Sequence, residues 1–275
     1  MKKCILRILI LVFTAVFLVS GCMIVKEILV RRKAVSYLSN ISAKYSPVYS
    51  DTFSGSKQES TDVEENTDTG NPSVQALVEE YPDAVGWLSV LGAEVDHPFV
   101  IGEDNAEYIR AGLDGEYLIS GTLFMDYRNT PFDQNLIIYG HHFSEKGGLD
   151  NDRVKGFSAL DKLMEEENYE ENKIIHLVFE NEIREYVVAS VFIYNAENDY
   201  ELQFYRTELD LTYDNAPDPK YEERYLKNIK DMALYDTGVE INKGDKLLTL
   251  QTFIDNERDL REIVVAKEVN RYERD

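Results

Sequence analysis

The sequence predicts a mainly β fold: a closed or nearly closed barrel of seven to eight strands, decorated by a few helices and preceded by an N-terminal membrane helix. Three observations lead there. At least eight short apolar stretches, each four to nine residues long, are bounded by Gly or polar punctuation. Helical periodicity is confined to a few segments. The 18 Tyr and 12 Phe supply enough large side chains to fill a real core.

The strand stretches are Val85–Val90, Val95–Val100, Leu123–Tyr127, Leu136–Tyr139, Ile174–Phe179, Tyr186–Tyr194, Leu247–Phe253 and Ile263–Val269. They are rich in Val, Ile, Leu and aromatics, the residues that pack on a pleated surface. So many short strands with few helices argue for a barrel, which removes exposed edges. One short helix is expected over Phe157–Met164. A stronger one starts at Asp218-Pro219, with Asp as N-cap and Pro at the first helical position. It carries Tyr221, Tyr225, Ile229 and Met232 on one face.

The N-terminus has its own logic. Lys2, Lys3 and Arg7 precede an uncharged run from Ile8 to Val25 that ends at Lys26. At about 1.5 Å per residue this nearly spans a hydrocarbon layer about 30 Å thick. The run reads as a retained signal anchor, because apolar residues continue past Cys22 through Met23, Ile24 and Val25 and return at Ile28 to Val30. The competing reading takes Val19-Ser20-Gly21-Cys22 as a lipobox, with cleavage leaving a lipidated Cys22. Residues 27–73 then form a juxtamembrane helix and a polar, acidic tether from Phe53 to Pro72. The folded domain occupies residues 74–275, expected on the extracellular side of the cell membrane.

Charge and cysteine content exclude several functions. The formal net charge is −22. Residues 1–33 hold seven Lys/Arg and one Glu, so the chain from residue 34 onward carries −28. Such a body repels nucleic acid, and no nucleic-acid partner is expected. The only cysteines, Cys4 and Cys22, lie in the first 22 residues, so the domain holds neither a disulfide framework nor a thiol nucleophile. His97, His141, His142 and His176 lack the short paired spacings of a zinc site, and no metal or cofactor is predicted. His97 and His176 read as packed or surface residues, and His142 as a partly exposed loop residue.

Four stretches, in order, resemble the class B sortases, the cysteine transpeptidases of Gram-positive surfaces. The first is EYPDAVGWLSVLGAEVDHPFV, Glu80 to Val100, similar to the family's Asn-Pro-Asp-x-x-Gly-Trp segment, with His97 where a Tyr is common. The second, GTLFMDYRNTPFDQNLIIYGHHF, Gly121 to Phe143, contains a Tyr-Gly-His segment at a strand end. The third, LYDTGVEINKGDKLLTLQTF, Leu234 to Phe253, resembles the strand that ends in Thr-Leu-x-Thr-Cys. The fourth, REIVVAK, Arg261 to Lys267, resembles the last strand, which opens with an Arg.

The resemblance implies a sortase-type barrel and a reaction. A thiolate attacks the carbonyl after Thr in an Asn-Pro-x-Thr-type sorting motif, and an amine of cell-wall peptidoglycan takes the acyl group. Carried over, the general acid and base is His141 and the oxyanion-stabilising residue is Arg261. Gln251 and Thr252 fall on the substrate groove, and the nucleophile position is Phe253. Phenylalanine has no nucleophilic atom, so no acyl-enzyme can form there. Strand alternation turns Thr252 and Glu262 away from the face that positions 253 and 261 share. Three functions follow: a catalytically inactive pseudo-sortase that binds a sorting-signal peptide or surface protein, an active class B sortase whose residue 253 is misleading, or a purely structural envelope protein. The partners implied are that peptide, a peptidoglycan stem peptide and, through the N-terminal helix, the membrane.

Overall fold

The computed structural model describes residues 2–47, 72–90, 92–93, 95–142, 156–195, 221–254 and 257–273. The tether from Phe53 up to Pro72 and the Asp218-Pro219 cap lie outside them, as does the side chain of Phe253.

Eight strands close into one barrel in the order β1-β2-β3-β4-β7-β8-β6-β5. They are β1 (Ala84–Val90), β2 (Val95–Ile101), β3 (Leu123–Met125), β4 (Asn135–Tyr139), β5 (Ile174–Val178), β6 (Glu182–Asn195), β7 (Leu247–Ile254) and β8 (Glu257–Glu273). Most pairs are antiparallel, while β2 with β3 and β4 with β7 run parallel. Each parallel pair is bridged by a long connection. The connection from β2 to β3 builds one wall of the site described below. Strand alternation sorts side chains into an inner and an outer set. Leu88, Val90, Phe99, Met125, Ile138, Leu177, Val188, Leu250 and Val264 fill the interior. The 3-10 helix Gly156–Met164 closes one end, adding Phe157, Leu160 and Leu163 to that core.

The outer face is covered twice. After the short helix α3 (Tyr169–Asn172), the helix α4 (Tyr221–Asp231) lays Tyr225 and Ile229, with Met232 just beyond it, on Phe192, Leu247, Ile263 and Val265. This is the helical face expected from the sequence. The second cover is N-terminal. The helix α1 runs from Lys2 to Tyr45 without a break, through the position where an anchor and a separate juxtamembrane helix were expected to meet. Its first part is long and apolar enough to cross a membrane. Its last turns bury Ala34, Ile41 and Tyr45. Ile41 and Tyr45 join Val74 and Leu77 of α2 (Pro72–Glu80) over Trp87, Val100 and Val178. Trp87 is fully buried and donates its indole N–H to Asp96 at 2.6 Å, while Ser46 at the end of α1 donates to the same carboxylate at 2.7 Å.

Candidate active-site groove

Beyond the part that α4 covers, the ends of β4 and β7 and the start of β8 form the floor of a cavity of about 220 Å³. Phe124 and Tyr139 come from β3 and β4, Gln251 and Thr252 from β7, and Arg261 from β8. Asn105, Ile109 and Thr122 of the β2–β3 connection make the opposite wall, and His141 stands at the end of β4 beside Gly140. The structure thus brings together His141, Arg261, Gln251 and Thr252. In the β7–β8 ladder the backbone of Phe253 stands directly opposite Arg261, and Thr252 opposite Glu262. Gln251 and Thr252, more than a hundred positions after Asn105 and His141, meet them here because β4 pairs in parallel with β7, Tyr139 opposite Gln251.

His141 is fixed from the wall side. Its Nε2 lies 2.6 Å from the carbonyl oxygen of Ile109. A carbonyl can only accept, so Nε2 carries the proton and the neutral ring holds its lone pair on Nδ1. Burial pushes the imidazole pKa below its usual value, Arg110 pushes the same way, and the Ile109 carbonyl opposes both without prevailing. His141 is therefore neutral at pH 7, in a single tautomer. Gly140 beside it is a packing requirement: a Cβ there would stand 2.6 Å from both Leu123 and Phe157. Arg261 is half-buried and donates to the carbonyl of Leu260 at 3.0 Å. Thr252 lines the cavity, but its hydroxyl is turned inward and donates to the Gly140 carbonyl at 2.8 Å.

The groove wall is braced by Asp126, which has no exposed surface. Its two oxygens accept from the backbone and guanidinium of Arg128, from Tyr139 Oη at 2.8 Å and from Asn105 Nδ2 at 3.0 Å. Burial alone would raise this carboxyl, yet the Arg128 hydrogen bonds and those of Tyr139 and Asn105 outweigh it and hold the pKa below the usual value. Asn129 braces the turn that follows, accepting from Ile137 N–H and donating to the carbonyl of Asn135. Sequence reasoning missed Asn105, Ile109 and Tyr139 as groove residues. Tyr139 was findable as the residue two before His141 on an outward-facing strand position. Asn105 and Ile109 carry no local signal, since the fold of the connection places them.

His142 is the partly exposed loop residue expected after β4, although its side chain is only 6% exposed and Nε2 lies 2.8 Å from Asp161. Glu262 does turn away from the groove, but the far side is the barrel interior rather than solvent. It is 1% exposed, and neither carboxyl oxygen has a hydrogen-bond partner among the described residues. Burial, with repulsion from Asp161 added, raises its pKa well above the carboxylate norm.

The closed eight-stranded barrel is of the sortase type. No protein-family model matches the sequence. Sortase B of Listeria monocytogenes serovar 1/2a is 30% identical over 181 residues, covering 64% of this chain. The chain spans 65% of that relative's length, just under two thirds. The crystal structure of Clostridium perfringens sortase B is 29% identical, with a TM-score of 0.60 over 71% of this chain and 99% of that one. A Staphylococcus aureus sortase B–substrate complex shares the fold, with a TM-score of 0.61 at 24% identity over 72% of this chain and 85% of that one. The chain is thus similar in sequence to class B sortases and shares their barrel fold.

Proposed function

We propose that this protein is a membrane-anchored pseudo-sortase, which receives a sorting-signal peptide of the Asn-Pro-x-Thr type in the groove and does not cleave it. The observation that carries this reading is Phe253 on the β7 strand, opposite Arg261, at the position where the family resemblance places the nucleophilic cysteine. Without a thiol, the chemistry left to the groove is binding. A guanidinium at Arg261 is suited to a peptide carbonyl oxygen, and neutral His141 can exchange hydrogen bonds without repelling a ligand. Transfer to a peptidoglycan amine, the family's second step, has no acyl-enzyme to act on.

Binding is favoured over a purely structural role by the cavity itself. About 220 Å³ lined by His141, Gln251, Thr252 and Arg261 is more space than a structural wall requires. The test is peptide binding and cleavage measured together. A fluorescent Asn-Pro-x-Thr peptide should bind the protein and bind more weakly to Arg261→Ala, while mass spectrometry finds it intact. Cleavage that disappears in His141→Ala would refute the inactive reading and require another nucleophile. No binding by a folded protein would leave the structural role.

A further inference from the structure

We propose that the loop 112–119, with Tyr117 at its tip, rests in the lipid headgroup layer, so that the groove opens at the bilayer surface. The inference depends on the reading of α1 as a retained membrane anchor. The contacts of α1 follow a fixed order. Its large apolar side chains are exposed from Ile5 to Val25 and again, just past Lys26 and Glu27, at Leu29, where about 30 Å of helix counted from Ile8 ends; the first buried residue is Ala34. Ala34 lies five positions beyond Leu29, about 7.5 Å at 1.5 Å per residue. The polar layer on each side of a bilayer is about 5–7.5 Å deep, from a hydrocarbon core of about 30 Å within a total of about 40–45 Å.

Ala34 packs on Leu118, with Val35, Tyr37, Leu38 and Ile119 around the pair. Tyr37 Oη accepts the Leu113 N–H at 2.8 Å and lies close enough to Gly112 to exclude a Cβ there. Farther along the helix, Lys44 and Tyr45 bond Glu80, and Ser46 bonds Asp96. The loop is thus the part of the domain that α1 meets first on leaving the membrane, and three later contacts fix the domain's tilt.

What the loop offers fits that depth. Tyr117 is 60% exposed, and a tyrosine's apolar ring and polar tip suit the membrane interface. Arg31, Arg32 and Lys33 of α1 lie at the same height. Asp114 and Glu116 flank Tyr117, so the contact is interfacial rather than an attraction to anionic lipid. The same connection carries Ile109, which holds His141, and Thr122 of the groove wall. Seating on the bilayer and shaping of the groove are therefore functions of one segment. A peptide that enters the groove belongs to a chain segment lying next to the membrane.

The absence of cysteine beyond residue 22 gives a direct test. In a full-length Cys4→Ser, Cys22→Ser background, Tyr117→Cys and, separately, Lys243→Cys carry a nitroxide label. Lys243 is exposed and lies toward the opposite end of β4, where Glu222 meets both it and Gln134. The proteins are reconstituted in phosphatidylcholine vesicles, and the ratio of oxygen to nickel-complex collision rates is read by paramagnetic resonance. The ratio at 117 should exceed that at 243 severalfold, and equally so when a third of the lipid is anionic. Co-flotation with vesicles but an equal, water-like ratio at both sites overturns the proposal and leaves the anchor intact. A chain that does not float with vesicles overturns the anchor reading and the proposal with it.

Discussion

Replacing Glu262 by Gln should abolish a loss of stability with rising pH that the native protein shows. Glu262 is 1% exposed on the inner side of β8, opposite Thr252, with no hydrogen-bond partner for either oxygen among the described residues. An ionised carboxylate in that place is strongly disfavoured, and its folded-state pKa is raised well above the 4.5 of a free Glu. The sign follows from proton linkage. Between the unfolded and folded pKa values the native state holds a proton that the unfolded state has lost, so stability falls as pH rises through that window. Within it each pH unit costs about 1.4 kcal/mol. Below it Glu262 is protonated in both states and contributes no slope. Groups with lowered pKa, such as Asp126, act at the acid end and cancel when the two proteins are compared. The assay is urea unfolding of the full chain in detergent at half-unit steps from pH 4 to 8, followed by the fluorescence of Trp87, the only tryptophan. The gap between Glu262→Gln and the native protein should be small at pH 4. It should then widen in favour of Gln by about 1.4 kcal/mol per unit through the window. Parallel pH curves would mean that Glu262 ionises normally in the fold and that the reasoning from burial is wrong.

Two further predictions concern the groove. Phe253→Cys should restore acyl-enzyme formation with an Asn-Pro-x-Thr peptide, seen as a mass adduct that is lost in Phe253→Cys/His141→Ala; a folded Phe253→Cys protein without adduct would show that the groove has been remodelled. Gly140→Ala should lower stability by about 1–3 kcal/mol through overpacking against Leu123 and Phe157, and should also shift the His141 ring resonances in NMR spectra. An unchanged melting temperature would show that Leu123 and Phe157 yield without cost.

The sequence alone determined the strands, the face of α4 and the order of the family-like segments, three of which meet at the groove. Those features are local: alternation of apolar residues, a helical step of three and four, and short motifs at strand ends. It also determined that the domain has no thiol, which needs no structure at all. Tertiary structure decided the rest, because each remaining feature depends on contacts far apart in the chain. Nothing near Ala34 or Tyr45 says that the N-terminal helix continues into the outer core beside Trp87. Nothing near His141 says that Ile109, 32 residues earlier, fixes its tautomer. Glu262 is the clearest case. Alternation correctly turns it from the groove, and in an open sheet the opposite face would be water. Closure of eight strands into a barrel makes that face the core, and only closure turns an ordinary surface glutamate into a buried acid.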